Sequence, residues 1–312
     1  MNEYSQYLKS IAWPAARFRF EFEALSNIRF PPFAGSMLRG VFGHALRSVS
    51  CMTKQKECKG CPLQVNCPYS RIFEPKTPAS VDRQKFSSVP GAYVFEPLQW
   101  GNAFYEPGAS VCFDMVLLGE EISLVPLVIF ALQKGMLRGI GHGEARLKAV
   151  FQVSDLGKTK IYEAGDEEIA DFERSFKLKR QFSSSCQLKL VTPLRVQREG
   201  KILNSEELTA KEFFAALIRR VDLVCRTHMS PIDIPFNELL TDAGNARLSK
   251  NLSIREWTRY SNRQKSLMRL PGLVGELSFD NLSEPLFKFL ELAEYFHVGK
   301  NAAFGLGRVK IL

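Results

Sequence analysis

The sequence predicts an α+β protein made of two tandem ferredoxin-like (βαββαβ, RRM-like) domains. Three observations carry that expectation. Segments with strand and helix periodicity follow one another as β-α-β-β-α-β. The same order recurs in the second half, and each half ends with a helix, a glycine-rich turn and a basic strand. The length of 312 residues suits two domains of roughly 150 each. One larger α+β domain is the alternative.

The elements follow in order. Arg17–Leu25 (RFRFEFEAL) alternates strictly, which makes a half-buried strand with Phe18, Phe20 and Phe22 on one face. Met37, Leu38, Val41, Phe42, Ala45, Leu46 and Val49 then fall at i, i+3, i+4 spacing. That pattern makes Gly35–Val49 a helix, with Arg39, His44 and Arg47 at its edge. A four-cysteine loop occupies 51–67. Strands near Ala92–Glu96 and Ser110–Leu118 come next, then a helix over Ile122–Leu137, the turn GIGHG and a strand over Arg146–Ser154. These elements form a first domain over residues 1–160.

The residues between Leu156 and Phe182 are polar and charged, and read as a link between the halves. In the second domain, residues 183–312, Ser185–Val196 is a strand and Ala210–Thr227 an amphipathic helix. Leu252–Tyr260 and Leu273–Phe279 are strands, and Pro285–Phe296 is a helix. The turn GKNAAFGLG then leads into a closing strand, Arg308–Leu312.

Composition excludes several classes. With 45% hydrophobic and 24% charged residues, the chain is neither disordered, collagenous nor coiled-coil. The first ten residues lack the apolar run of a secretory signal, and no stretch of about 18 apolar residues offers a membrane span. A cytoplasmic, reducing location is expected, with no membrane partner. The excess of 42 basic over 33 acidic residues, +9, suits a polyanionic partner.

In a reducing compartment a tight cysteine cluster points to metal before disulfides. Cys51, Cys58, Cys61 and Cys67 have the spacing C-x6-C-x2-C-x5-C, and four thiolates so close can close on one centre. Such a set holds either a 4Fe–4S cluster or a structural zinc. The spacing and its lysines, Lys54, Lys56 and Lys59, look like the cluster loop of endonuclease III-type DNA glycosylases, which favours iron–sulfur. The helix-hairpin-helix and catalytic elements of those enzymes are not visible, so a DNA-repair role lacks its chemistry. Cys112, Cys186 and Cys225 lie in apolar contexts and read as buried thiols.

The terminal segment HVGKNAAFGLGRVKIL places Gly299, Gly305 and Gly307 between Lys300 and Arg308. Exposed main-chain N–H groups and cations suit a phosphodiester backbone. A helix-to-strand turn that needs glycine for its geometry would read the same way. The pattern matches neither the P-loop nor the dinucleotide fingerprint. Arg259, Tyr260 and Arg263 in RYSNRQ combine cations with a stacking ring, as RNA readers do, although a solvated hairpin explains them as well.

The motif G-K-x-x-x-F-G-x-G followed by a basic strand resembles the glycine-rich loop of RAMP proteins in CRISPR systems. More narrowly, it resembles their repeat-processing endoribonucleases, the sixth Cas family. LRGVFGHALR, CPYSRIFEP, RYSNRQ and GLVGEL agree in order, so the resemblance spans nearly the whole chain. It implies binding of CRISPR precursor RNA, cleavage within the repeat, and association with other Cas effector subunits. It also implies metal-free chemistry, in which the substrate's 2′-hydroxyl attacks the adjacent phosphate and leaves a 2′,3′-cyclic phosphate. That reaction needs a base, an acid and cations.

Histidine suits the first two roles. Members of the family usually carry their histidine in or after the first helix, which implies His44. His297, at the start of the terminal loop, is the second candidate. His142 touches RNA or simply turns the chain, and His228 is expected in solvent. Arg39, Arg47, Arg263, Lys300 and Arg308 are the expected phosphate contacts. A non-catalytic RNA-holding subunit is the alternative function.

Overall fold

A computed structural model describes residues 2–79, 81, 89–99, 101–261 and 266–312. It divides into two compact units. One comprises Pro14–Phe176 with Leu223–Ser230, and the other comprises Met1–Trp13, Lys177–Asp222 and Pro231–Leu312. The first helix, α1 (Asn2–Ser10), belongs to the second of these and was not foreseen in the sequence.

The first unit runs through β1 (Ala15–Ala24), β2 (Ile28–Phe30), α2 (Gly35–Ser50), α3 (Pro68–Phe73), β3 (Tyr93–Pro97), β4 (Ala103–Tyr105) and β5 (Ser110–Leu118). After a 3-10 turn over Gly119–Leu124 come α4 (Val125–Arg138), β6 (Ala145–Ser154) and β7 (Gly157–Glu163). Its main sheet has the order β3-β5-β1-β6-β7, with every neighbour antiparallel. Apart from β7, this is the ferredoxin-like order, in which the first and third strands of the motif are central.

Alternation explains β1. Phe18, Phe20 and Phe22 are buried, and Phe20 and Phe22 both stack on Phe113 of β5. Phe42 of α2 closes over Tyr93 and Phe95 from the same side. On the opposite face Arg19 grips Asp114 through two hydrogen bonds of 2.6 and 2.8 Å. Asp114 is only 1% exposed, and the bidentate bond offsets the cost of burying its charge.

The second unit contains β8 (Cys186–Leu194), β9 (Gln197–Arg198), β10 (Lys201–Ile202), α5 (Ala210–His228, whose last turn is grouped with the first unit) and α6 (Phe236–Asn245). It continues with β11 (Arg247–Ser261), β12 (Ser266–Asp280), α7 (Glu284–Phe296), a 3-10 turn over Ala302–Phe304 and β13 (Val309–Ile311). The sheet order β11-β12-β8-β13 repeats the ferredoxin-like arrangement. Phe213 and Phe214 of α5 pack on Phe279 of β12, with ring centroids 5.3 Å away in each case. Among the described residues no helix is long and apolar enough to cross a membrane.

Three expectations need correction. The stretch 156–182 is not all link, because β7 adds an edge strand to the first sheet. Its face is largely exposed, so it carries no apolar alternation to read. The β11–β12 hairpin extends beyond the expected strands: β11 begins at Arg247, and its added residues Arg247, Ser249, Lys250 and Asn251 are exposed and need no hydrophobic pattern to pair. Cys112 is half-buried rather than buried, with its sulfur 3.2 Å from the Ser110 hydroxyl.

Candidate nucleic-acid interface

The terminal glycine-rich loop is laced to β8 through main-chain bonds. Val298 N–H donates to Gly307 O at 2.9 Å, closing the loop's neck. Lys300 N–H donates to Arg195 O and Gly307 N–H to Pro193 O, each at 2.9 Å. Gly299 has φ 81° and Gly307 φ 69°. A Cβ at Gly299 would stand 2.4 Å from Arg195 O, and one at Gly307 1.9 Å from Val298 O. Close backbone approach therefore dictates glycine at both positions, beyond the positive φ alone. This rigid path leaves Lys300 exposed and Arg308 half-buried.

Two framework residues were missed by sequence reasoning. Thr192, buried in β8, donates its hydroxyl to Gly305 O at 2.6 Å and accepts from Arg308 N–H at 2.9 Å. Arg195 is buried beneath the loop, its backbone bridged to Gly299. The only sequence signal was a threonine–proline pair and a basic residue at the end of an apolar strand.

His297 does not face a ligand. It is 0% exposed, and its Nδ1 lies 3.1 Å from Leu306 O. A ring sealed inside the loop cannot reach a substrate, so its place is in the loop's framework. His228 departs further from expectation. It is buried rather than solvated, with Nε2 2.8 Å from Pro90 O and Nδ1 3.3 Å from Glu121.

His44 and His142 are both exposed, within the first unit. His44 projects from α2. His142 sits at φ 69° in a turn closed by Ile140 N–H to Gly143 O at 2.7 Å. It lines a groove of about 370 Å³ with Ser26, Val41 and Arg138.

The arginines of α2 are engaged within the protein. Arg39 stacks over Phe73, 4.3 Å from the ring centroid. Arg47 donates to the carbonyls of Gln55 and Lys56 and lies over Tyr69. Its guanidinium therefore braces the cysteine loop instead of standing ready for phosphate. Arg259 and Tyr260 lie on β11, their backbones paired with Met268 and Leu267. Their side chains, and Arg263 entirely, lie outside the described residues.

Cys51, Cys58, Cys61 and Cys67 are all half-buried and line one cavity of about 170 Å³. Among the described residues no three His, Cys, Asp or Glu side chains stand in a metal-holding arrangement. Burial, with the charge of Glu74 next, pushes the Cys58 thiol up to about 11. It is thus a protonated thiol at neutral pH, unsuited to act as a nucleophile. Lys54, Lys56 and Lys59 are exposed around it.

Comparison with known proteins now bears on this geometry. Residues 188–309, which hold the glycine-rich loop and most of the second unit's sheet, match the model for CRISPR-associated endoribonuclease Cas6. The second half of the chain is thus similar to the Cas6 family. Residues 13–174 match a family model described as an N-terminal domain.

Solved Cas6 structures share its fold. A Cas6 (TTHB231) product complex aligns with a TM-score of 0.59 at 14% identity, covering 96% of this chain and 100% of that one. Thermus thermophilus Cas6 (TTHB231) gives 0.56 at 13% identity, covering 97% and 100%. A Cas6 (TTHA0078) product complex gives 0.53 at 17% identity, covering 96% and 99%. No curated protein matches the chain.

Proposed function

We propose that this chain is a member of the Cas6 family that binds CRISPR precursor RNA and cleaves it within the repeat, without a metal ion in the chemistry. The observation that supports this best is the terminal loop. Its backbone is locked by glycine against β8, and Lys300 is held out to solvent beside it. A preordered loop that holds a cation out to solvent suits a phosphodiester and costs little entropy on binding. His44 is the proposed proton-transfer residue, acting on the substrate's 2′-hydroxyl or on the leaving 5′-oxygen. Lys300 and Arg308 are the proposed phosphate contacts. One similar chain belongs to a partial Cas6-RT-Cas1–Cas2 complex, at 12% identity and covering 47% of that chain. Association with other Cas proteins is accordingly part of the proposal.

The test is incubation with the cognate repeat RNA in excess EDTA. Cleavage yielding a 2′,3′-cyclic phosphate and a 5′-hydroxyl is expected, and intact RNA overturns the reading. Lys300 can be tested separately. Lys300→Ala should weaken binding to every repeat variant alike and reduce the slope of log K against log salt by about 0.7, one contact to a single strand. An unchanged slope removes Lys300 from the interface.

A second reading, an RNA-holding subunit without turnover, is favoured by the burial of His297. Of the two histidines expected to act, that leaves His44 as the one at the surface. Tight repeat binding with no product would identify it.

A further inference from the structure

The cysteine loop is not explained by RNA cleavage, nor by ordinary packing. No helix or strand falls between Cys51 and Cys67. Met52 is 83% exposed and Val65 61%, so apolar burial does not hold the segment. None of its cysteines forms a disulfide. Its visible order comes from short turns, Cys61 N–H to Cys58 O at 3.1 Å and Cys67 N–H to Leu63 O at 2.8 Å, and from Arg47. A loop of this length without secondary structure is uncommon in a compact unit unless it has a function or a further brace. All four cysteines line one cavity.

We propose that Cys51, Cys58, Cys61 and Cys67 ligate a [4Fe–4S] cluster that braces the loop presenting Lys54, Lys56 and Lys59. The cavity leaves room for a group larger than a single ion. Zinc sits about 2.3 Å from each thiolate and leaves no void among them. The volume here, about 170 Å³, is an order of magnitude above the ~10–15 Å³ that one water-sized sphere occupies. A cubane fills such a space and takes one thiolate at each iron.

The placement gives the cluster a mechanical role. Cys51 N–H bonds to Arg47 O at the end of α2, and Cys67 O accepts from Arg71 N–H at the start of α3. Ligation would thus tie the ends of both helices to one centre. Each ligand exchanges an S–H bond for an S–Fe bond and releases a proton. The cluster exchanges no electron with the RNA.

The test is metal and acid-labile sulfide analysis of the full chain purified without oxygen. About four iron and four sulfide per chain are expected, with broad absorbance near ~400 nm. One zinc without sulfide overturns the cluster, and absence of both metals overturns the site. Cys58→Ser should lose the iron, while Cys112→Ser, outside the cavity, should keep it. Because Cys58→Ser could fold poorly, a second measurement uses the wild-type chain. Stripping iron with a chelator should open the loop to trypsin at its lysines, and adding ferrous and ferric iron in equal amounts with sulfide, without oxygen, should restore both protection and absorbance. Unchanged proteolysis on stripping overturns the bracing role.

Discussion

Replacing His44 by alanine should lower single-turnover cleavage of repeat RNA by about 100-fold or more, with repeat affinity held within about twofold. General acid–base catalysis by one positioned side chain contributes roughly 10²–10⁴, and a group acting mainly in the transition state changes rate rather than binding. Position on α2 makes this variant informative. His44 points to solvent, so its removal leaves no cavity. Alanine is also the better helix former, by a few tenths of a kcal/mol. Thermal stability should therefore stay level or rise slightly, which separates lost chemistry from lost folding. His142→Ala is the natural comparator, because that residue is equally exposed in the same unit. Should His142→Ala abolish cleavage while His44→Ala does not, the catalytic assignment passes to the turn.

The legible parts of the chain were those where burial on one side imposes a period. β1 was readable because Phe18, Phe20 and Phe22 enter the core while Arg17, Arg19, Glu21 and Glu23 do not. The helices α2, α4, α5 and α7 were readable for the same reason, and with them the doubled βαββαβ order. Segments without a two-faced environment stayed hidden. β7 is exposed along most of its length, and α3 is too short to display a period.

Candidate-site residues divided differently. Composition could identify the glycine-rich loop, because glycine and lysine have intrinsic meanings there. It could not tell that His297 turns inward to Leu306 O or that Arg47 spends its guanidinium on Gln55 and Lys56. Those outcomes depend on which carbonyls lie nearby after folding, and a single sequence does not encode that at any fixed spacing. Thr192 shows the converse. A buried hydroxyl that satisfies two main-chain groups of the loop looks, in the sequence, like any residue of a β-strand.

The loop itself yields the other large effect. Gly307 and Gly200 both have positive φ, 69° and 85°. Alanine at either pays the left-handed penalty of about 1–2 kcal/mol. The surroundings differ. A Cβ at Gly200 meets nothing within 4 Å, whereas one at Gly307 would lie 1.9 Å from Val298 O. That carbonyl cannot simply step aside, because the Val298 backbone also closes the loop's neck by donating to Gly307 O. Forced overpacking adds about 1–3 kcal/mol. Gly307→Ala should therefore destabilise the chain by about 3 kcal/mol against about 1 for Gly200→Ala, measured by denaturant unfolding. Repeat affinity should fall at least about tenfold for Gly307→Ala and stay near wild type for Gly200→Ala, because the first displaces the backbone that carries Lys300 and Arg308 while the second strains a distant turn. Equal losses in the two variants would mean that φ alone sets the cost. An intact affinity in Gly307→Ala would mean that the loop's path does not position the RNA.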